Sequence, residues 1–365
     1  MSLQDFRGQG PPADIGTFQL PCSVIVFQHV FSGTTYFCAV RSGERGWVLV
    51  DYGTNPATVC NSALSLANVH DVLLSLREDW TTTATLSVPA GVHLHSVGWK
   101  YSLNYNAGGN CIEITGDDAK ISDLKIVITA GAGGAGTRPN CVYATGRTNL
   151  EVRSCWLVGD TTVGDDGSET RQCGIVFDTV TYSSIHECRI ESNMRHGIVL
   201  VSCLDNPLSG NICDGNARHG ISLIVVSGST LSGNTCNGNT WSGIYLYAGS
   251  DNILSGNICD GNTGSGINLD LSAGNNVSHN TCKNNGGYGV RVDADSDYNK
   301  VHGNYTGGNT SGSIRVNSVD CDGNQIEWNT VEEGAPSDAG TTTRSYGNYD
   351  PSANAFVGDV GAAPF

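Results

Sequence analysis

The sequence predicts an all-β chain: a right-handed parallel β-helix solenoid with coils of about 23 residues and a small N-terminal α/β cap. Three observations carry this. Gly174, Gly197, Gly220, Gly243, Gly266, Gly289 and Gly312 recur at a constant interval. Each of the central ones opens an alternating phrase, as in Gly197-Ile-Val-Leu, Gly220-Ile-Ser-Leu and Gly243-Ile-Tyr-Leu, which is the period of a strand with one buried face. About twelve residues later a second phrase returns in step: Leu208-Ser-Gly-Asn-Ile-Cys, Leu231-Ser-Gly-Asn-Thr-Cys and Leu254-Ser-Gly-Asn-Ile-Cys. Such an interval is too short for a strand, a helix and two loops, so it fits one turn of ribbon. Equivalent residues then stack about 4.8 Å apart, and parallel crossovers are right-handed.

In chain order, Ser23–Val26, Thr34–Val40 and Trp47–Val50 read as short strands. Asn55-Pro56 starts a helix, with Pro in its first turn, running to about Asn68. Residues 1–85 form the expected cap, needed because a solenoid end exposes unpaired backbone. Leu86 opens the first solenoid strand, and residues 86–333 form the β-helix. Cys111-Ile-Glu-Ile, Cys141-Val-Tyr-Ala and Cys173-Gly-Ile-Val read as earlier coils with longer loops, giving about nine coils. Residues 334–365, rich in Gly, Ser and Ala, read as a far cap or tail. Asn193, Asn216, Asn239, Asn262 and Asn285 share one column, where stacked amides can bond along the axis. Cys213, Cys236, Cys259 and Cys282 share another, read as buried free thiols. No CxxC or neighbouring His pattern marks them as zinc ligands.

Composition narrows the function. Of 365 residues 48 are Gly, and 35 acidic against 19 basic side chains leave a net charge of −16. That balance opposes general nucleic-acid binding. No apolar stretch is long enough to span a membrane. Residues 1–12 show no signal peptide. Phosphate-loop, HExxH and Gly-x-Ser-x-Gly motifs are absent.

The Gly-Ile-x-Leu and Ser-Gly-Asn-x-Cys coils resemble the right-handed β-helix repeats of the pectate-lyase-like superfamily. Residues 55–98, with Val88-Pro-Ala-Gly-Val92, resemble the lead-in to such folds in phage tailspikes and polysaccharide-processing proteins. Arg195-His196-Gly197 and Gly174-Ile-Val-Phe-Asp178 resemble phrases of mannuronan C-5 epimerases, although the Asp-Pro-His-Glu phrase of that family is absent here. The resemblance implies a polysaccharide partner and leaves lyase, glycosidase, epimerase and non-catalytic members open.

The outward positions of the coils give the candidate site. With the Ile and Leu of Gly-Ile-x-Leu inward, Val176, Val199, Ser222, Tyr245, Asn268 and Arg291 form one outer column. Asp178, Val201, Ile224, Tyr247, Asp270 and Asp293 form the next. Arg195-His196, Arg218-His219, Trp241 and Tyr288 precede the glycines. Aromatic rings cover sugar faces, and Arg, Asn and Asp bond hydroxyls and carboxylates. Expected substrate-binding residues are therefore Arg195, Arg218, Trp241, Tyr245, Tyr247, Asn268, Tyr288 and Arg291. Two catalytic sets are open: Asp270 with Asp293 as paired carboxyls, or His196 and His219 with Asp178 for proton abstraction beside a uronate carboxylate. Asp293, Asp295 and Asp297 could hold calcium; no other metal or cofactor is assigned. The leading expectation is a carbohydrate-active protein that cleaves or modifies a polysaccharide, placed extracellularly or on a virion surface. The alternative is a non-enzymatic spike, fibre or surface-structure protein, for which a homotrimer is the natural assembly. A third reading takes Val176, Val199, Val201 and Ile224 as an apolar docking face.

Overall fold

A computed structural model describes residues 23–43, 46–66, 69–129, 139–162, 167–340 and 343–357. The signal-peptide reading of residues 1–12 lies outside them. The chain is a right-handed parallel β-solenoid of about 11 turns. One long sheet has 15 strands and another has 11, and a third face is built from two six-stranded runs. The two runs meet at Thr235, which bridges Ile212 and Ile258.

The cap begins with three antiparallel strands, β1 (Ser23–Phe31), β2 (Thr34–Gly43) and β3 (Gly46–Gly53). Helix α1 covers Pro56–Leu64, ending before the expected Asn68. Asn55 caps it, its side chain accepting from the backbone N–H of Ala57 and Thr58 at 2.9 and 3.2 Å. Val59, Cys60, Ala63 and Leu64 of α1 are buried in the same core as the coils. Asn61 donates to Thr85 O and accepts from Ser87 N–H, both at 2.9 Å, so the helix satisfies backbone groups at the sheet end.

The first coil starts earlier than Leu86. β4 (Asp71–Ser75) and β5 (Trp80–Thr82) precede β6 (Leu86–Val88), and β7 (His93–Ser96) begins the second coil. β1 pairs in parallel with β4, and β4 with β7, so cap and solenoid share one sheet. The periodic signal is missing there because β4 carries the run Val72-Leu73-Leu74, whose Leu73 is buried in a second, outer apolar cluster with Ile25, Phe27, Cys38 and Val40. At the far end, Ser337–Asp338, Arg344–Tyr346 and Asn348–Asp350 continue the parallel sheets, and Ala355–Val357 closes one of them antiparallel.

Register is uniform through the centre: Ile198, Ile221, Ile244, Ile267 and Val290 pair in succession. It slips at the last predicted glycine. Tyr288, not Gly289, pairs with Gly312, and Val290 pairs with Ile314. The extra residue lies beyond Asp293, where Ser272 N–H bonds Ser296 Oγ and Asp295 takes φ 44°.

Three Asn ladders, not one, run along the axis. One is Asn193, Asn216, Asn239, Asn262, Asn285 and Asn309. A second runs Asn211, Asn234, Asn257, Asn280, Asn304, Asn329 and Asn348. A third includes Asn252, Asn275, Asn299 and Asn324. The ladders are buried, and an amide within one bonds the next amide along the axis and a backbone carbonyl one coil back. Asn234 Nδ2, for instance, reaches Asn257 Oδ1 and Leu208 O, both at 2.9 Å. This satisfies the polar groups that each tight corner would otherwise strand in the core. Thirteen described cysteines are free and buried. Burial pushes the Cys60 and Cys173 thiols up to about 12. Among the described residues no helix is long and apolar enough to cross a membrane.

Candidate functional site

The 11-stranded sheet presents the candidate face. Its pairing stacks Tyr143, Val176, Val199, Ser222, Tyr245, Asn268, Arg291 and Arg315 in one column. The neighbouring column is Thr145, Asp178, Val201, Ile224, Tyr247, Asp270 and Asp293. Both columns match the predicted order. Their upper half is not an open apolar face, however. Val176 and Val199 are fully buried in a small outer cluster with Cys173, flanked by Tyr143, Val201 and Ile224. Cys173 directly follows the loop 158–172, and its Sγ donates to Glu169 O and Arg171 O of that loop at 3.7 and 3.2 Å.

The same loop supplies Glu169, which the repeat pattern does not single out. Its carboxylate accepts from Arg195 Nη1 at 3.2 Å, His196 Nε2 at 2.9 Å and Arg218 Nη1 at 2.7 Å. Glu169 is held at about 2, first by the hydrogen bond from His196 and then by the Arg218 and Arg195 charges, which outweigh its burial. The Arg195 and His196 side chains are 0% and 1% exposed. Burial lowers the His196 imidazole. It therefore donates Nε2–H to Glu169, and its remaining lone pair on Nδ1 is buried without a hydrogen-bond partner among the described residues. Arg195 and His196 thus underlie the surface rather than face it. Only a long loop reaching forward over later coils could have signalled this, and its spacing is outside the repeat.

The predicted His pair does stack. The His196 and His219 rings lie 5.4 Å apart at 6°. His219 stacks on Tyr245 at 4.5 Å and meets Trp241 edge-on at 5.1 Å. His219 Nδ1 accepts the Ser242 backbone N–H at 3.0 Å. Burial holds the imidazole well below its usual value, so it is neutral with its proton on Nε2. In that tautomer the free edge donates and cannot take a proton, which removes His219 as a general base in this state. Asp178 stands two coils from the open part of the face, its carboxylate accepting from Thr179 Oγ1 at 3.0 Å.

The open part is a groove of about 340 Å³ lined by His219, Trp241, Ser265, Asn268, Tyr288 and Arg291 among others. Arg218 lies over the Trp241 ring at 4.3 Å. Asn268 Oδ1 and Arg291 Nε are buried and have no hydrogen-bond partner among the described residues. Along the adjoining column, Tyr245 Oη donates to Asp270 Oδ2 at 3.0 Å. The Tyr245 hydroxyl is pushed up by burial and then by Asp270, so it keeps its proton. Asp293 receives Arg291 Nη2 at 2.5 Å and Asn317 Nδ2 at 2.7 Å. Tyr247, 38% exposed, stands beside Tyr245 with ring centres 6.4 Å apart.

The calcium expectation is not supported. The strand ends at Asp293, so Asp295 and Asp297 fall in a turn instead of on its alternating face. Asp297 Oδ1 accepts from Asp322 N–H. Among the described residues the one group of three ligand atoms from His, Cys, Asp or Glu that converges is Asp71, His93 and His95, all lying within 4.8 Å of one another.

Residues 138–350 match the family model described as "NosD: Periplasmic copper-binding protein (NosD)". No curated protein sequence matches. Among solved structures the fold is similar to the Dettilon tailspike protein (TM-score 0.64, 18% identity, 83% of this chain and 64% of that one). It is also similar to the A-module of the Azotobacter vinelandii mannuronan C-5 epimerase AlgE4 (0.61, 15%, 81% and 87%). A third is the enzymatically active domain of Bacteriophage CBA120 tailspike protein 2 (0.61, 16%, 92% and 57%). The chain thus spans about three-fifths of the two tailspike chains.

Proposed function

The chain belongs to the NosD family, and from that premise we propose that it binds an acidic polysaccharide along the groove between His219 and Arg291 and acts on it at Asp270. The observation that carries this is the pairing of unsatisfied polar atoms with aromatic rings in one groove. Asn268 Oδ1 and Arg291 Nε lack partners among the described residues, beside Trp241 and Tyr288. Buried polar groups without partners are costly, and a sugar hydroxyl and carboxylate would satisfy these two. Trp241 and Tyr288 offer faces for pyranose rings. Arg291, steadied by Asp293, supplies positive charge for a uronate carboxylate. His219 presents Nε2–H as a further donor.

Asp270 is the acid–base group in this reading and Tyr245 the proton donor beside it. Asp293 is committed to Arg291 and Asn317, so it positions the arginine instead of sharing a proton with Asp270. A carboxylate that takes the proton beside a uronate carboxyl, with that carboxyl neutralised by Arg, opens either elimination or epimerisation. The tailspike and epimerase names of the structural neighbours agree in class. Action outside the cytoplasm agrees with the family's description as periplasmic. The copper in that description is not carried over, since no three His, Cys, Asp or Glu ligand atoms converge among the described residues of 138–350.

The test is a panel of alginate, pectate and capsular polysaccharides, assayed for retention on the protein and for unsaturated or reducing-end products. Retention of a uronate polymer that is lost in Arg291→Ala and Trp241→Ala supports the site. Absence of retention across the panel overturns it. Retention without product would instead identify a non-catalytic spike or fibre.

A further inference from the structure

At the other end of the molecule, outside the stretch matched by the family and away from the groove, three side chains from two neighbouring strands converge. Asp71 on β4 pairs with His93 on β7, and His95 follows two residues on, so all three stand on one face of the long sheet. Asp71 Oδ1 lies 3.4 Å from His93 Nδ1 and 3.0 Å from His95 Nε2. The two imidazoles stack at 4.6 Å and 20°.

The hydrogen bonds around this trio decide which atoms carry lone pairs. Ser122 Oγ donates to Asp123 Oδ2 at 2.7 Å. Its one proton is thereby used, so at its 2.9 Å contact with His93 Nε2 the hydroxyl accepts, and His93 carries the proton on Nε2. In a neutral imidazole the Nδ1 of His93 is then a lone pair facing the Asp71 carboxylate, acceptor against acceptor. His95 Nε2 is also buried and, though within ion-pair distance of Asp71, makes no hydrogen bond of acceptable direction. Two imidazole nitrogens and one carboxylate oxygen therefore converge, all within 4.8 Å of one another. The nearest cation on the next strand, Lys120, is drawn away by Glu151 Oε2 at 3.1 Å.

We infer that Asp71, His93 and His95 bind a divalent transition-metal ion of the zinc class. A set of two imidazoles and one carboxylate suits such ions and leaves coordination positions for water. The Ser122–Asp123 relay behind His93 is the outer support expected of a ligating histidine. Because Asp71 and the two histidines come from successive coils, the ion would clip β4 to β7 where the cap joins the solenoid.

The test uses the full chain without a polyhistidine tag, stripped with chelator and titrated with zinc alone by calorimetry, with thermal unfolding followed in parallel. We expect one zinc per chain and a melting temperature that rises with zinc, since an ion that binds only the folded state stabilises it. Saturable binding should vanish in Asp71→Asn and His95→Asn. It should weaken by about tenfold or more in Ser122→Ala, and persist in His186→Gln, a histidine of the same sheet engaged with Glu151. A circular-dichroism spectrum keeps loss of the site distinct from loss of fold. Failure of the wild-type chain to bind zinc, or equal binding in folded Asp71→Asn and His95→Asn, overturns the assignment.

Discussion

The His219 imidazole lies flat against the Tyr245 ring, centroids 4.5 Å apart and planes 11° from parallel, although the two residues belong to successive coils. One turn of ribbon makes them vertical neighbours. The stack buries His219 and aligns the hydroxyl of Tyr245 with Asp270, so the state of the site follows from the pitch of the fold.

That stack sets a split between binding and turnover. In Asp270→Asn, retention of the polysaccharide should persist while product formation stops. Tyr245→Phe should lower turnover by about 10²-fold or more with retention unchanged. If both variants lose retention and turnover together, Asp270 and Tyr245 hold substrate instead of transferring protons.

Acid should weaken the fold in two steps. Burial depresses His219 well below 6.5 and lowers His196. The unfolded chain then binds protons that the folded one refuses, so this stability is present above pH 6.5 and is lost as pH falls below it. Glu169, held at about 2 against a usual 4.5, contributes stability above 4.5 that is lost between there and about 2. Because Glu169 is 45% exposed, its share is about 1 kcal/mol after solvent screening. Urea unfolding across this range should show both declines, with Glu169→Gln removing the lower one. A flat profile from neutral pH to below about 4 would refute the assignment.

Removing one rung of an amide ladder should be costly. Asn239 accepts from Asn216 N–H and Nδ2 and donates to Cys213 O and Asn262 Oδ1, all at 3.0 or 3.1 Å. Asn239→Ala strands these groups in a dry corner, and we expect about 3 kcal/mol of destabilisation in denaturant unfolding. Ile253→Ala, on an exposed position, should cost about 0.5 kcal/mol or less. Equal costs would show that the ladder is not what holds the corners.

Gly220 is required for lack of space, not for backbone angle. A Cβ there would lie 2.8 Å from Gly243 O, 2.9 Å from Asn239 Nδ2 and 3.0 Å from Cys213 O. Gly220→Ala should destabilise by about 1–3 kcal/mol. Gly233 has φ 63°, and nothing lies within 4 Å of the place a Cβ would take. Gly233→Asn introduces a residue that accepts that angle and should be nearly neutral. Reversal of this order would mean that coil spacing is looser than the pairing shows.

What the sequence determined by itself is the solenoid: constant spacing of Gly197, Gly220 and Gly243 with alternating Ile and Leu leaves few ways to bury one face per strand. From that pitch came both outer columns, including the adjacency of Tyr245, Asn268 and Arg291. Where the period breaks, sequence reasoning stopped. The extra residue after Asp293 shifted Gly312 out of phase and put Asp295 and Asp297 in a turn. Glu169 reached Arg195, His196 and Arg218 from a loop that no repeat describes. Burial turned His196 and His219 from surface bases into neutral, stacked rings. The convergence of Asp71 with His93 and His95 required knowing that β4, hidden within an unbroken apolar run, is the first coil. Periodicity fixes which residues are neighbours along the axis, because stacking repeats. Which side chains end up dry, and which loop folds over them, depends on contacts between non-repeating segments, and these only the tertiary structure decides.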